Sequence, residues 1–186
     1  MGVAALSRAA VFLDRDGVLN EAVVTDGVPH SPAGLEEFRL VPGAAEALHR
    51  LKAAGFALIV VTNQPELRRG RISRQLLEAM HARLVAALPL DAVYVCDHDE
   101  IDACACRKPK PGLLLRAAAE LDLDLASSYL IGDRWRDVDA GAAAGCKTVL
   151  IDYGYRERPP TSTPSRRVAS LAEAVAWIIA DRRTPR

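Results

Sequence analysis

Five short runs along the chain are apolar at almost every position: Ala10–Leu13, Leu58–Val61, Ala92–Val95, Tyr129–Ile131 and Thr148–Ile151. Unbroken apolarity, in place of strict alternation, predicts parallel strands covered on both faces. Longer helical patterns separate them. Ala44–Ala54 ends at Gly55, a residue suited to a helix stop. Ser73 can cap the next helix, where Leu76, Leu77, Met80, Leu84 and Leu88 form one apolar stripe. Gly112–Leu121, Val138–Ala144 and a last helix over Leu171–Ala180 complete the set. Strands alternating with helices predict an α/β fold of three layers around a parallel sheet.

Two segments break this rhythm. Cys96–Gly112 is irregular and carries three cysteines, one histidine and two prolines. Arg156–Arg167 is rich in Arg, Pro, Ser and Thr and reads as an exposed loop. No internal repeat and no second core interrupts the pattern, so one domain is expected over residues 1–186, with an insert at 96–112.

Composition narrows the field of partners. Twenty-four basic residues balance 24 acidic ones, so no overall basic field favours nucleic acid. No apolar stretch approaches the roughly 18 residues needed to span a bilayer. The start MGVAALSRAAVFLD is too short in its apolar run for a signal peptide, and Leu6 stands where a myristoylation signal needs Ser or Thr. A cytoplasmic protein is expected, monomeric, with a small-molecule substrate and neither nucleic acid nor membrane as partner. Cysteines clustered in such a chain favour a metal over disulfides.

In open parallel sheets, ligands bind beyond the carboxyl ends of the strands. The residues there are Asp14-Arg-Asp-Gly, Thr62-Asn-Gln, Arg107-Lys-Pro and Gly132-Asp-Arg-Trp-Arg-Asp. Asp14 and Asp16 lie two positions apart, so their side chains can point the same way, and Gly17 permits a sharp turn. Adjacent carboxylates repel unless a cation joins them or one binds a proton, and phosphoryl transfer uses both remedies. Asp14 can attack phosphorus, and Asp16 can protonate the leaving oxygen and then activate water. Asp133, supported by Asp137, completes an all-oxygen set suited to Mg²⁺. Thr62 and Lys108 can hold phosphoryl oxygens. An acidic turn alone would be weak evidence, and a calcium loop fits poorly because Gly17 comes fourth and not sixth. The convergence after four strands carries the reading.

VFLDRDGVLN, VVTNQ, RKPKPG and IGDRWRDVDAG resemble the four motifs of the haloacid dehalogenase superfamily, in order, over residues 11–141. The resemblance implies a Rossmann-like sheet with the nucleophile strand at its centre. It implies Asp14 as nucleophile and Asp16 as acid/base and magnesium ligand through its backbone carbonyl. Asp133 becomes a further ligand, and Thr62 and Lys108 match the second and third motifs. No large cap domain is expected, because the insertions after the first two motifs are short.

Cys96, His98, Cys104 and Cys106 supply three thiolates and an imidazole, a full tetrahedral set for structural Zn²⁺. A zinc-stabilised, non-catalytic binding module is the alternative from another class. Its usual paired C-x2-C knuckles are absent, and Asp97, Asp99, Glu100 and Asp102 would repel a phosphate backbone. With this insert the chain resembles the phosphatase subgroup acting on D-glycero-D-manno-heptose 1,7-bisphosphate and on histidinol phosphate. The resemblance implies a sugar phosphate as substrate, heptose bisphosphate ahead of histidinol phosphate. Asn63, Arg69 and Arg107 are candidate substrate contacts. His30, His49 and His81 lack partners at metal spacing and read as surface residues, while Cys146 reads as a buried small hydrophobe.

Overall fold

The computed structural model describes residues 7–183, so the first six residues of the expected leader-free start lie outside it. The chain opens with β1 (Arg8–Leu13), then a small hairpin of β2 (Val23–Thr25) and β3 (Val28–His30). After α1 (Ala44–Ala53) come β4 (Ala57–Asn63), the short α2 (Pro65–Arg68), α3 (Arg74–Ala87) and β5 (Ala92–Cys96). The second half runs α4 (Gly112–Leu121), β6 (Leu123–Gly132), α5 (Trp135–Ala143), β7 (Lys147–Ile151), β8 (Arg166–Val168) and α6 (Leu171–Arg183).

Six strands form one sheet in the order β5-β4-β1-β6-β7-β8, every pairing parallel. The order reverses at β1, which leaves a crevice at its carboxyl end between the two flanking strands. Side-chain alternation then divides the apolar runs between two cores. Val11, Leu13, Leu58, Val60 and Ile131 face α1, α3 and α6. Ala10, Phe12, Ile59, Val61 and Leu130 face α4 and α5. Both faces are dry, which is why these strands read as unbroken apolar stretches.

The helix ends obey local chemistry. The Ser73 hydroxyl accepts a hydrogen bond from the Leu76 amide at 3.1 Å, capping α3. The register between β1 and β6 shifts between Ala9 and Val11, and the Ala10 amide freed there donates to the buried Ser128 Oγ at 2.8 Å. The segment 156–167 departs from its expectation as wholly exposed loop. Its end joins the sheet as β8, an edge strand whose Arg166 and Arg167 face solvent and so hide its pairing from an apolar pattern. Among the described residues, no helix is long and apolar enough to cross a membrane.

Candidate active site

The ends of β1, β4 and β6 deliver the residues that the motifs single out. Asp14 follows β1, and its amide is fixed by the Ile131 carbonyl of β6 at 2.9 Å. Thr62 and Asn63 close β4, and Asp133 follows Gly132 at the end of β6. Lys108 arrives from the loop after β5, and Asn63 holds it there from both sides. The Asn63 Nδ2 donates to the Lys108 carbonyl at 3.0 Å, and the Lys108 amide donates to Asn63 Oδ1 at 3.1 Å. This clamp is what the Asn63 amide does in the structure.

Lys108 is 2% exposed, and its ammonium lies 2.9 Å from Asp14 Oδ1 and 2.5 Å from Asp137 Oδ1. Asp14, Asp133 and Asp137 each offer an oxygen, all within 4.8 Å of one another. One ammonium cannot neutralise three buried carboxylates. Burial, opposed by Lys108 and reinforced by Asp137, raises the Asp14 carboxyl to about 6. Burial and then the charges of Asp14 and Asp137 push Asp133 well above the usual carboxylate range. Both Asp133 oxygens are buried without a hydrogen-bond partner of good geometry, although the Tyr155 hydroxyl stands near them. Three clustered carboxylates that share one ammonium, with both Asp133 oxygens lacking a well-placed donor, fit a hard divalent cation. Gly17 makes this approach possible. At φ +84° it occupies the left-handed region, and a Cβ there would sit 1.9 Å from Asp133 Oδ2.

Asp16 has different surroundings. The Arg15 guanidinium grips both its oxygens at 2.9 Å, and Asn20 Nδ2, Ser31 Oγ and Gln64 Nε2 donate at 2.9, 2.7 and 2.9 Å. Burial alone would raise its proton affinity, but the Arg15 charge and these hydrogen bonds outweigh it and hold the carboxyl below its usual range. Arg15 itself is fully buried and lies over the Phe38 ring. Its Nη1 reaches His81 Nε2 at 3.2 Å. A guanidinium has no lone pair to offer, so the imidazole accepts and is neutral; burial and the Arg15 charge lower it to about 4. His81 is therefore no idle surface residue. His30 is exposed, as expected, and at the end of the β2–β3 hairpin it also lines the cavity next to Ser31. His49 is exposed, and Cys146 is buried.

The cavity, about 430 Å³ including its open mouth, has Asp14, Lys108 and Asp133 in its lining, with Arg134 and Arg136 at the start of α5. The Thr62 hydroxyl is buried beside it and accepts from Gln64 Nε2 at 2.9 Å. Arg69 is engaged elsewhere. Its guanidinium makes paired hydrogen bonds to Asp99 at 2.7 and 2.8 Å and a third to Glu66, so it straps the cysteine loop to α2. Arg107 donates to the His98 carbonyl at 3.2 Å and keeps its buried Nε without a partner.

That loop brings its three cysteines and His98 together. Cys106 Sγ lies 3.2 Å from Cys96 Sγ, 3.4 Å from Cys104 Sγ and 3.4 Å from His98 Nδ1. Cys96 Sγ is 3.7 Å from both Cys104 Sγ and His98 Nδ1. Zn–S bonds of about 2.3 Å in a tetrahedron require sulfurs roughly 3.8 Å apart, so the quartet is close to the size of a zinc site.

The parallel sheet, with its carboxylate cluster beyond the central strand, is that of a haloacid dehalogenase-like hydrolase, and the chain belongs to that family. The HAD-hydrolase-like family model matches residues 105–178. The chain is 38% identical to the D-glycero-β-D-manno-heptose-1,7-bisphosphate 7-phosphatase of Pasteurella multocida, over 91% of this chain and 94% of that one. It is 37% identical to the D-glycero-D-manno-heptose-1,7-bisphosphate 7-phosphatase of Thermosynechococcus vestitus, with 93% and 96% covered. A crystal structure of D,D-heptose 1,7-bisphosphate phosphatase from B. bronchiseptica, complexed with magnesium and phosphate, superposes with a TM-score of 0.78. It is 32% identical over 93% of this chain and 99% of that one.

Proposed function

We propose that the chain is a magnesium-dependent phosphatase, one catalytic domain, that removes the 7-phosphate of D-glycero-D-manno-heptose 1,7-bisphosphate through a phosphorylated Asp14. The observation that carries this reading is the buried cluster of Asp14, Asp133 and Asp137 around a single ammonium, with both Asp133 oxygens unsatisfied. The similarity to heptose bisphosphate phosphatases over nine-tenths of the chain selects the substrate.

Asp14, Asp133 and the Asp16 carbonyl would hold Mg²⁺, which when bound neutralises phosphoryl charge and orients the transferring group. The chain's own groups account for the remaining steps. An Asp14 carboxylate oxygen attacks phosphorus in line, the bond to the sugar oxygen breaks, and Asp16 gives that oxygen its proton. Water then attacks the phosphorus of the aspartyl-phosphate. Asp16 takes the water's proton, and the Asp14–phosphorus bond breaks to release phosphate. Lys108 and the Thr62 hydroxyl counter the negative charge on the equatorial oxygens. For the first step Asp16 must hold a proton that its hydrogen-bonded cradle disfavours. A phosphoryl dianion beside it shifts that balance toward the acid.

The Cys96, His98, Cys104 and Cys106 quartet would hold a structural zinc that orders the loop leading into Lys108. Phosphate release with Mg²⁺ from a panel of both heptose 1,7-bisphosphate anomers, histidinol phosphate and several hexose phosphates tests the assignment. Heptose bisphosphate is expected to win clearly. Preferred turnover of histidinol phosphate would overturn the substrate and leave the chemistry standing.

A further inference from the structure

Arg15 stands between the nucleophile and the acid/base residue in the chain, and its side chain is fully buried. Nε and Nη2 form one edge of its guanidinium, and that edge donates to the two carboxylate oxygens of Asp16, each at 2.9 Å. Nη1 stands outside this pair. Its acceptor is His81 Nε2, 3.2 Å away on α3 and 66 positions further along the chain. The face of the guanidinium lies over Phe38, 5.6 Å from the ring centroid. The planar group is therefore held at three places: along one edge by Asp16, on one face by Phe38, and at Nη1 by His81.

A guanidinium only donates, so Nε2 must offer its lone pair and the ring proton sits on Nδ1. Asn20, Ser31 and Gln64 each give Asp16 one neutral hydrogen bond. Arg15 alone gives it a charge and two parallel bonds in one plane, so the tilt of that plane sets the direction of the carboxyl. Proton transfer to a leaving oxygen depends steeply on that direction. We propose that His81 is a positioning residue for the acid/base step: by accepting from Arg15 Nη1 it fixes the guanidinium, and through it the Asp16 carboxyl. The proposal rests on the aspartyl-phosphate reading above, with Asp16 as the acid, and adds a residue that works through Arg15. The competing view makes His81 a filler that satisfies a buried N–H and steadies the fold. A filler affects every substrate alike. A positioning residue affects those substrates whose leaving group needs the Asp16 proton.

The experiment compares kcat/KM, with Mg²⁺ at neutral pH, for heptose 1,7-bisphosphate and for p-nitrophenyl phosphate, whose nitrophenolate departs without a proton. The proteins are wild type, His81→Gln, His81→Asn and, as reference, Asp16→Asn. Glutamine carries its amide oxygen to about where Nε2 stands, whereas asparagine falls short of Nη1, and both are polar residues that α3 can hold. Asp16→Asn should cost about 10²–10⁴-fold on the sugar phosphate and far less on the nitrophenyl ester. His81→Asn should show the same split on a smaller scale, about tenfold on the sugar phosphate with little change on the ester, and His81→Gln should restore most of the loss. In Arg15→Lys protein, His81→Asn should add little, because no fork is left to place. Equal losses on both substrates, an unchanged His81→Asn protein, no rescue by glutamine, or losses that add in the Arg15→Lys background would overturn the proposal. An Asp16→Asn protein without the split, or wild type that leaves heptose bisphosphate intact, would instead overturn the reading beneath it, and the proposal would fall with it.

Discussion

Replacing Lys108 by Met keeps the side-chain volume and removes the ammonium that lies 2.9 Å from Asp14 and 2.5 Å from Asp137. Lys108 and Asp137 are each 2% exposed, so water cannot take over its role. Losing one partner of a buried ion pair costs about 3–5 kcal/mol. For a chain of this size that corresponds to a fall in Tm of roughly 6–20 °C. The penalty also depends on conditions. Without the ammonium, three carboxylates face one another, and Asp14, already raised to about 6, moves higher still. A divalent cation relieves that repulsion, so Mg²⁺ should bind the variant's native state more tightly than the wild type's. At a hundredfold excess over Kd such binding is worth about 2.7 kcal/mol. Thermal denaturation in chelator and in millimolar Mg²⁺ reads both effects, and the Mg²⁺-induced rise in Tm should be larger for Lys108→Met. Phosphate release should meanwhile fall about 10²–10³-fold, the loss expected for one preorganised charge-stabilising group. A Tm loss below about 2 °C in chelator, or an identical Mg²⁺ response in both proteins, would refute the reasoning.

Gly17→Ala should abolish Mg²⁺ binding measured by calorimetry, because the added Cβ would sit 1.9 Å from Asp133 Oδ2 at a φ of +84°; near-normal affinity would contradict the close approach. Cys104→Ser should lower bound zinc to well under one per chain by metal analysis and lower Tm, whereas full zinc occupancy would remove Cys104 from the ligand set. His81 carries a pH signature. Its folded-state value is lowered from 6.5 to about 4, so the unfolded chain takes up the proton first as pH falls. Stability supplied by the neutral ring is fully present above pH 6.5 and declines between 6.5 and 4. His81→Gln should flatten the Tm-against-pH curve in that window relative to wild type, and an unchanged slope would exclude the ring as its source.

The strands at Ala10, Leu58, Tyr129 and Thr148 were legible because both faces of the sheet are covered, so apolarity runs unbroken through each. β8 was not legible: Arg166 and Arg167 are solvent-facing residues of an edge strand, and only its position beside β7 defines it. The β2–β3 hairpin has three residues per strand, too few for a period to register. At the site, Asp14, Asp133 and Lys108 could be read because each follows a strand with its own motif. The cradle of Asp16 could not. Arg15 and Asn20 stand in the motif of Asp16 and Gln64 in the second motif, but no spacing says that they turn toward Asp16, and Ser31 and His81 come from separate segments that only folding brings to this carboxylate and its partner. Arg69 adds a pairing that its chemistry alone did not reveal: a fork suited to phosphate is hydrogen-bonded to Asp99, a carboxylate 30 positions away.

The nucleophile is the centre of the account, and it is tested most directly by Mg²⁺-dependent phosphate release from heptose 1,7-bisphosphate by wild-type protein and by Asp14→Asn. The substitution is nearly isosteric, so the fold and the cation site should largely survive while the attacking oxygen is lost. Activity is predicted to fall by about 10⁴-fold or more, as when a covalent nucleophile is removed. An Asp14→Asn protein within about tenfold of wild type would contradict a phosphorylated Asp14.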